Sequence, residues 1–260
     1  MPEGHTIHRA ALDLRKALAG QVIGVTSPQG RFAGGASVLD GRECQSVEAY
    51  GKHLVVGFED EIWLHIHLGL FGRIRRRKLP ALEPRGAIRV RLVSQTRVVD
   101  ISGPTICENI DRLELDGLVN RIGPDVLRND ADPRRALDRI SRSRAPIGRL
   151  LMDQTVLAGI GNIYRTELLW RAGIHPDTPG RSIDLRALEN LWQDAKKLLE
   201  IGVRRNAIIT SDQAMRSRTR YGERTNIFGK TQCPTCAQPV RRVDIAGRRA
   251  FVCEVCQPPG

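Results

Sequence analysis

No stretch of this 260-residue chain reaches the ~18 consecutive apolar residues that would cross a bilayer. Pro2 and Glu3 stand where a secretory signal would carry basic residues and then an apolar run, so the chain is expected to be cytoplasmic and off the membrane. Internal repeats and low-complexity segments are also missing, which argues against a repeat architecture. Cysteine is scarce, at six residues. In a reducing compartment four of them, at paired CxxC spacing, read as metal ligands and not as disulfides. Cys44 and Cys107 are isolated and read as small buried apolar residues. Acidic residues are outnumbered, 29 against 41 Lys and Arg, for a net charge of +12 and a pI of about 10.1. Of that excess, +7 lies in residues 201–260. Such a balance calls for a polyanion, nucleic acid or an anionic membrane, and the four-cysteine module inside the basic part favours nucleic acid.

The apolar pattern divides the chain. Ile7, Ala11, Leu14 and Leu18 share one helical face over residues 6–19, with Thr6 placed to cap the start and Gly20 to end it. Short runs rich in Val, Ile and Leu follow at 22–25, 54–58, 62–68, 87–93 and 97–101, the spacing of a compact antiparallel sandwich or barrel. Helical periodicity returns near 133–141, 146–152, 162–172 and 184–201. Residues 203–229 are basic and poor in apolar residues, and are expected to be loops. Residues 230–258 read as a two-hairpin ribbon. Three domains are expected: 1–122, 123–229 and 230–260.

Several motifs carry chemistry. The Cys233-x2-Cys236-x16-Cys253-x2-Cys256 quartet offers two knuckles, each aiming two thiolates at one ion. Four protein ligands leave no open position, so a structural zinc is expected, with a rubredoxin-like iron as the alternative. Ala158-Gly159-Ile160-Gly161-Asn162 makes a glycine turn that opens a helix at Asn162, which on the local pattern reads either as a capping Asn or as a place where free N–H groups and the dipole favour a phosphate. At the front, removal of Met1 would free the secondary amine of Pro2 beside Glu3, a nucleophile next to an acid. With Met1 attached that nitrogen is an amide and cannot attack. His65 and His67 alternate on one strand face, and His5 and His8 share a helix side. Neither pair has a third ligand at evident spacing, and both read as structural.

Taken in order, Pro2-Glu3-Gly4-His5-Thr6, Gly51-Lys52-His53-Leu54, His67-Leu68-Gly69-Leu70-Phe71-Gly72, Leu151-Met152-Asp153-Gln154, Gly159-Ile160-Gly161-Asn162-Ile163-Tyr164 and the cysteine quartet resemble the formamidopyrimidine-DNA glycosylase/endonuclease VIII (Fpg/Nei) family of base-excision repair enzymes. The resemblance spans essentially the whole chain. It implies an α+β fold: an N-terminal two-layer β-sandwich with flanking helices, a helix–two-turn–helix domain and a C-terminal zinc ribbon. It implies Pro2 as nucleophile at sugar C1′ and Glu3 as the acid that protonates the sugar ring oxygen. Lys52 would bind phosphate and donate a proton in β-elimination. Arg248 would clamp phosphate and stabilise the departing charge, while Arg249 beside it reads either as a solvated hairpin charge or as a supporting phosphate contact. Leu70 and Phe71 would fill the gap left by the flipped nucleotide, and Asn162 would contact DNA. The neighbouring run Arg73–Lys78 reads either as a phosphate track or as simply solvated charge.

The opening Pro2-Glu3-Gly4-His5-Thr6 looks like the endonuclease VIII branch, which implies oxidised pyrimidines and abasic sites as substrates. Two alternatives stay open: an Fpg-type enzyme for 8-oxoguanine and formamidopyrimidines, and a non-catalytic damage-binding protein on the same scaffold. A damage-reading loop of the Fpg type is not recognisable in 203–229, nor an opposite-strand reading loop in 103–112. The expected partner is damaged double-stranded DNA, bound by a monomer with one structural zinc and no redox or nucleotide cofactor.

Overall fold

The computed structural model describes residues 2–216 and 221–259. Met1, whose removal the Pro2 chemistry requires, and residues 217–220 of the basic stretch lie outside the described residues. The chain divides into two compact units, residues 1–121 and 122–260.

The first unit opens with α1 (Gly4–Leu18), which buries Ile7, Ala11, Leu14 and Leu18 and packs on β2 and β3. The strands are β1 (Gln21–Thr26), β2 (Arg42–Tyr50), β3 (His53–Phe58), β4 (Ile62–His67), β5 (Arg73–Lys78), β6 (Ile88–Val93), β7 (Arg97–Ser102) and β8 (Ile106–Ile110), with α2 (Ala33–Leu39) and α3 (Arg112–Arg121) between or after them. Their order is β5-β7-β6-β1-β2-β3-β4-β8, antiparallel at every pairing. β1 makes this a sandwich. Its residues 21–23 pair with β2, and its residues 24–26 pair with β6. One strand thus belongs to both layers, and the layers bury their inner faces in one core of Ile23, Val47, Leu54, Val56, Leu64, Val90, Leu92, Val99 and Ile101.

Three strands lay outside the apolar runs. β2 and β8 mix polar with apolar residues, and β5 is Arg73-Ile74-Arg75-Arg76-Arg77-Lys78, five of its six residues exposed. β5 and β8 are the two sheet edges, where charge guards unpaired backbone. Segment 106–110, within the 103–112 stretch where the sequence shows no reading loop, is a strand.

The second unit contains α4 (Pro133–Ser141), α5 (Ile147–Leu150), α6 (Asn162–Arg171), α7 (Leu185–Arg205) and α8 (Asp212–Arg216). Asp184 caps α7 by accepting from the Ala187 N–H at 2.9 Å, and Asn206 ends it in the left-handed region. Leu188, Leu191, Trp192, Ala195, Leu198 and Leu199 form its buried stripe. The basic stretch after residue 203 is not all loop, because α7 runs on to Arg205 and α8 follows. The unit ends in one hairpin, β9 (Arg241–Ile245) and β10 (Arg248–Val252). Where a second hairpin was expected there is a single bridge, Gln232 to Pro239, closing the first cysteine knuckle. No helix among the described residues is long and apolar enough to cross a membrane.

Candidate functional site

In the first unit the helix begins earlier than the sequence suggested. Glu3 is the N-cap of α1 in extended backbone, and its carbonyl accepts from the N–H of Thr6 at 2.9 Å and of Ile7 at 3.4 Å. Thr6 lies inside the first turn, with its hydroxyl 3.2 Å from His5 Nε2. Glu3 is fully buried, whereas Pro2 is half-buried. A buried carboxylate at a helix start is not the exposed, dipole-balancing Glu that the position alone would predict. His5 is buried too, and burial above all pushes its imidazole down to about 4.

Lys52 sits in the two-residue turn joining β2 to β3, where Tyr50 pairs with His53. Gly51 takes φ +58 there, as a primed hairpin turn demands of its first central residue. Its positive charge falls on His53 and His67, both held below the ordinary imidazole range, chiefly by burial. His67 Nδ1 lies 3.0 Å from Thr105 Oγ1 and accepts from the Gly69 N–H at 3.2 Å, which ties β4 to the loop that follows. In that loop Gly69 has φ +61, and a Cβ at Gly72 would lie 2.3 Å from the Leu68 carbonyl oxygen. These two glycines make a tight turn whose tip bears Leu70 and Phe71. Phe71 is 85% exposed, in a chain with only five Phe. The sequence alone reads His65 and His67 as structural and gives His53 no role of its own. The proximity of His67 to Lys52 becomes visible only when β3 and β4 pair.

In the second unit, Gln154 stitches the glycine turn. Its amide donates to the carbonyls of Met152 (3.0 Å) and Ile160 (2.9 Å), and its Oε1 accepts from the Gly159 N–H at 3.0 Å. Gly161 is the N-cap of α6, so Asn162 is its first residue. The Asn162 side chain is buried and engaged at both ends. Nδ2 donates to the Arg249 carbonyl at 2.8 Å, and Oδ1 accepts from Arg165 Nη2. Arg165 was not singled out from sequence, yet it is fully buried and also donates to the carbonyls of Gly148 (3.3 Å), Ile245 (3.2 Å) and Arg248 (3.4 Å). Asn162 and Arg165 together clamp the β9–β10 turn, where Ala246 and Gly247 both take positive φ. Arg249 is exposed and Arg248 half-buried at the start of β10.

The four quartet thiols gather at the other end of the hairpin. All four Sγ atoms lie within 4.8 Å of one another, with Cys236 and Cys253 at 3.4 Å and Cys233 and Cys256 at 3.7 Å. A tetrahedral ion with sulfur at about 2.3 Å needs sulfurs about 3.8 Å apart, so the donor set fits a metal ion. Burial raises the Cys233 thiol, but the N–H groups of Cys236 and Thr235 outweigh it and bring the thiol down to about 6. Cys44 and Cys107, by contrast, are pushed up to about 12 by burial and are inert thiols.

The formamidopyrimidine-DNA glycosylase N-terminal domain model matches residues 1–104, and the formamidopyrimidine-DNA glycosylase H2TH domain model matches residues 122–214. Endonuclease 8 1 of Mycobacterium tuberculosis is 43% identical over 267 residues, covering 99% of this chain and 100% of that protein. A formamidopyrimidine-DNA glycosylase of Thermomicrobium roseum is 31% identical over 236 residues, covering 82% of this chain and 81% of that protein. In fold, the chain is similar to Lactococcus lactis Fpg in complex with DNA containing N7-benzyl-Fapy-dG. The TM-score is 0.83 at 24% identity, covering 99% of this chain and 100% of that one. With both domain models matched in order and one relative aligned end to end, the chain belongs to the Fpg/Nei family of base-excision repair DNA glycosylases, enzymes with AP lyase activity.

Proposed function

We propose that the chain removes oxidised pyrimidines from double-stranded DNA and nicks the resulting abasic site by β- and then δ-elimination, acting as a monomer in the cytoplasm. The observation that carries the chemistry is the burial of Glu3 at the start of α1, directly after Pro2. A carboxyl group held out of water next to the amine is placed to act as the acid that protonates the sugar ring oxygen. The Pro2 amine, freed by loss of Met1, attacks C1′ as the base departs with the glycosidic electron pair. Ring opening then leaves a cationic iminium on Pro2. Loss of the C2′ proton and the 3′-phosphate follows, and loss of the C4′ proton and the 5′-phosphate completes the second elimination. An α-amine is suited to this because its ordinary pKa, near 8, leaves a useful neutral fraction at physiological pH.

Lys52 binds the phosphate beside the reacting sugar and supplies a proton. Arg248 clamps phosphate through its planar fork, with Arg249 in support. Asn162 and the first turn of α6 hold the backbone of the strand. Leu70 and Phe71 replace the stacking lost when the lesion flips out, a loss of roughly a few kcal/mol per step. Zinc is the ion for Cys233, Cys236, Cys253 and Cys256, and it keeps the hairpin bearing Arg248 folded. The pyrimidine preference rests on Gly4-His5-Thr6 following Pro2-Glu3, and on the greater identity to Endonuclease 8 1 than to the Thermomicrobium roseum formamidopyrimidine-DNA glycosylase.

Borohydride reduction of the processed protein mixed with abasic-site DNA tests this reading. A covalent adduct is expected, weakened or abolished by Pro2→Gly or by a retained Met1. Absence of the adduct from correctly processed protein would sink the lyase. A clear preference for 8-oxoguanine over thymine glycol would overturn the pyrimidine assignment.

A further inference from the structure

The outward face of the β3–β4–β8 layer carries a polar ladder that the proposed reaction leaves unused. The strand register sets His53 opposite His67, and His65 opposite Glu108. Residues two apart share a face, so His53 is also the diagonal neighbour of His65. The contacts follow this geometry. His53 Nδ1 lies 2.9 Å from His65 Nε2, and His65 Nδ1 lies 3.0 Å from Glu108 Oε1. The rings of His53 and His67 are 4.9 Å apart. One end of the chain is open to water, with the Glu108 side chain 56% exposed, while His65 is 6% exposed. The other end, His53, directly follows Lys52 at the hairpin tip.

The bonding fixes the protons. A carboxylate only accepts, so His65 donates to Glu108 through Nδ1. The Nε2 of a neutral His65 then bears a lone pair and accepts the Nδ1–H of His53. His53 is left with a lone pair on Nε2. Burial favours neutral rings throughout. It is the main reason that His53 is pushed down to about 3, with the charges of His65, His67, Arg121 and Lys52 acting in the same direction. For His65 burial again dominates. Glu108 pulls the other way and Arg121 of α3 adds to the lowering.

We propose that Glu108–His65–His53 is a positioning relay for Lys52, which fixes the tautomer of His53, with Nδ1 as donor and Nε2 as acceptor, at the foot of the turn carrying the ammonium. This rests on the role given to Lys52 above. Glu108 and His65 touch no substrate and act through His53. An imidazolium at position 53 would repel Lys52, and a ring with Nε2 protonated would present an N–H beside the turn in place of a lone pair.

Two readouts on the full, processed chain test the relay. Proton–nitrogen NMR correlations of the histidine rings should show His53 with Nδ1 protonated and Nε2 bare. Glu108→Ala should mix the two tautomers of His53. In single turnover on abasic-site DNA, that variant should eliminate roughly 10- to 100-fold more slowly, with unchanged DNA affinity. A wild-type His53 protonated at Nε2, or a Glu108→Ala enzyme with the wild-type elimination rate, overturns the relay. Lys52→Ala at the wild-type elimination rate instead overturns the role of Lys52 itself, whichever tautomer His53 holds.

Discussion

Asn162 donates through Nδ2 to the carbonyl oxygen of Arg249 at 2.8 Å, so the first residue of α6 holds the strand that bears Arg248 and Arg249. Asn162→Ala removes that bond and the acceptor for Arg165 Nη2. A cost of about 1–3 kcal/mol is expected, because buried donors and acceptors lose partners. Thermal unfolding should show the loss. Elimination on abasic DNA should slow as well, because the hairpin arginines lose their register.

Phe71 should behave in the opposite way. At 85% exposure its truncation removes almost no packing, so Phe71→Ala should leave the melting temperature unchanged. Binding to lesion-containing duplex should weaken by about 1–3 kcal/mol, the scale of one base–aromatic stack. Titrations of lesion-containing and undamaged duplex would separate this loss from general weakening.

Glu167 on α6 is a fully buried carboxylate that accepts from the Thr210 hydroxyl at 2.6 Å and from the backbone N–H groups of Asn226 (2.8 Å), Ile227 (2.9 Å) and Phe228 (2.7 Å). Glu167→Gln turns an NH2 group toward donors. It should cost about 3 kcal/mol or more, since charged hydrogen bonds contribute about 1.5–3 kcal/mol each. Denaturant unfolding checks it, and a loss below about 1 kcal/mol would show that the hub is not needed.

Metal removal should act locally. Four thiolates within 4.8 Å repel one another without an ion, so chelation should unfold the Cys233–Cys256 region while the sandwich keeps its fold. The expected signature is release of one metal ion per chain with loss of DNA affinity. The slope of affinity against salt should also become shallower as phosphate contacts are lost. Retained affinity in the metal-free protein would contradict this.

Acid should destabilise the first unit early. His5 sits at about 4 and His53 at about 3 in the folded chain, against 6.5 for the free side chain. The unfolded chain binds protons first, so stability is full above pH 6.5 and falls as the pH drops toward 4 and then 3. His5 alone contributes on the order of 3 kcal/mol over that window. His5→Asn should flatten the fall in a series of pH-dependent melts.

The sequence by itself determined what depends on local periodicity and short-range spacing. The stripes of α1 and α7, the apolar strands β1, β3, β4, β6 and β7 and the two cysteine knuckles all announce themselves within a few residues. So does the Gly-Leu-Phe-Gly turn, because Gly69 and Gly72 are demanded by backbone geometry. α3 was missed although Asp111 and Glu114 cap it reciprocally, at 2.8 and 3.0 Å, because its apolar stripe holds only Leu115 and Leu118. β5 and β8 were missed because edge strands need not alternate. Only the tertiary structure decided which distant residues meet. Burial of Glu3, the Arg165 clamp 80 residues from Ile245 and the Glu108–His65–His53 chain arise from strand register and helix packing. Such contacts carry no spacing signal. A buried polar group must find partners wherever the fold brings them, and one sequence does not state where that is.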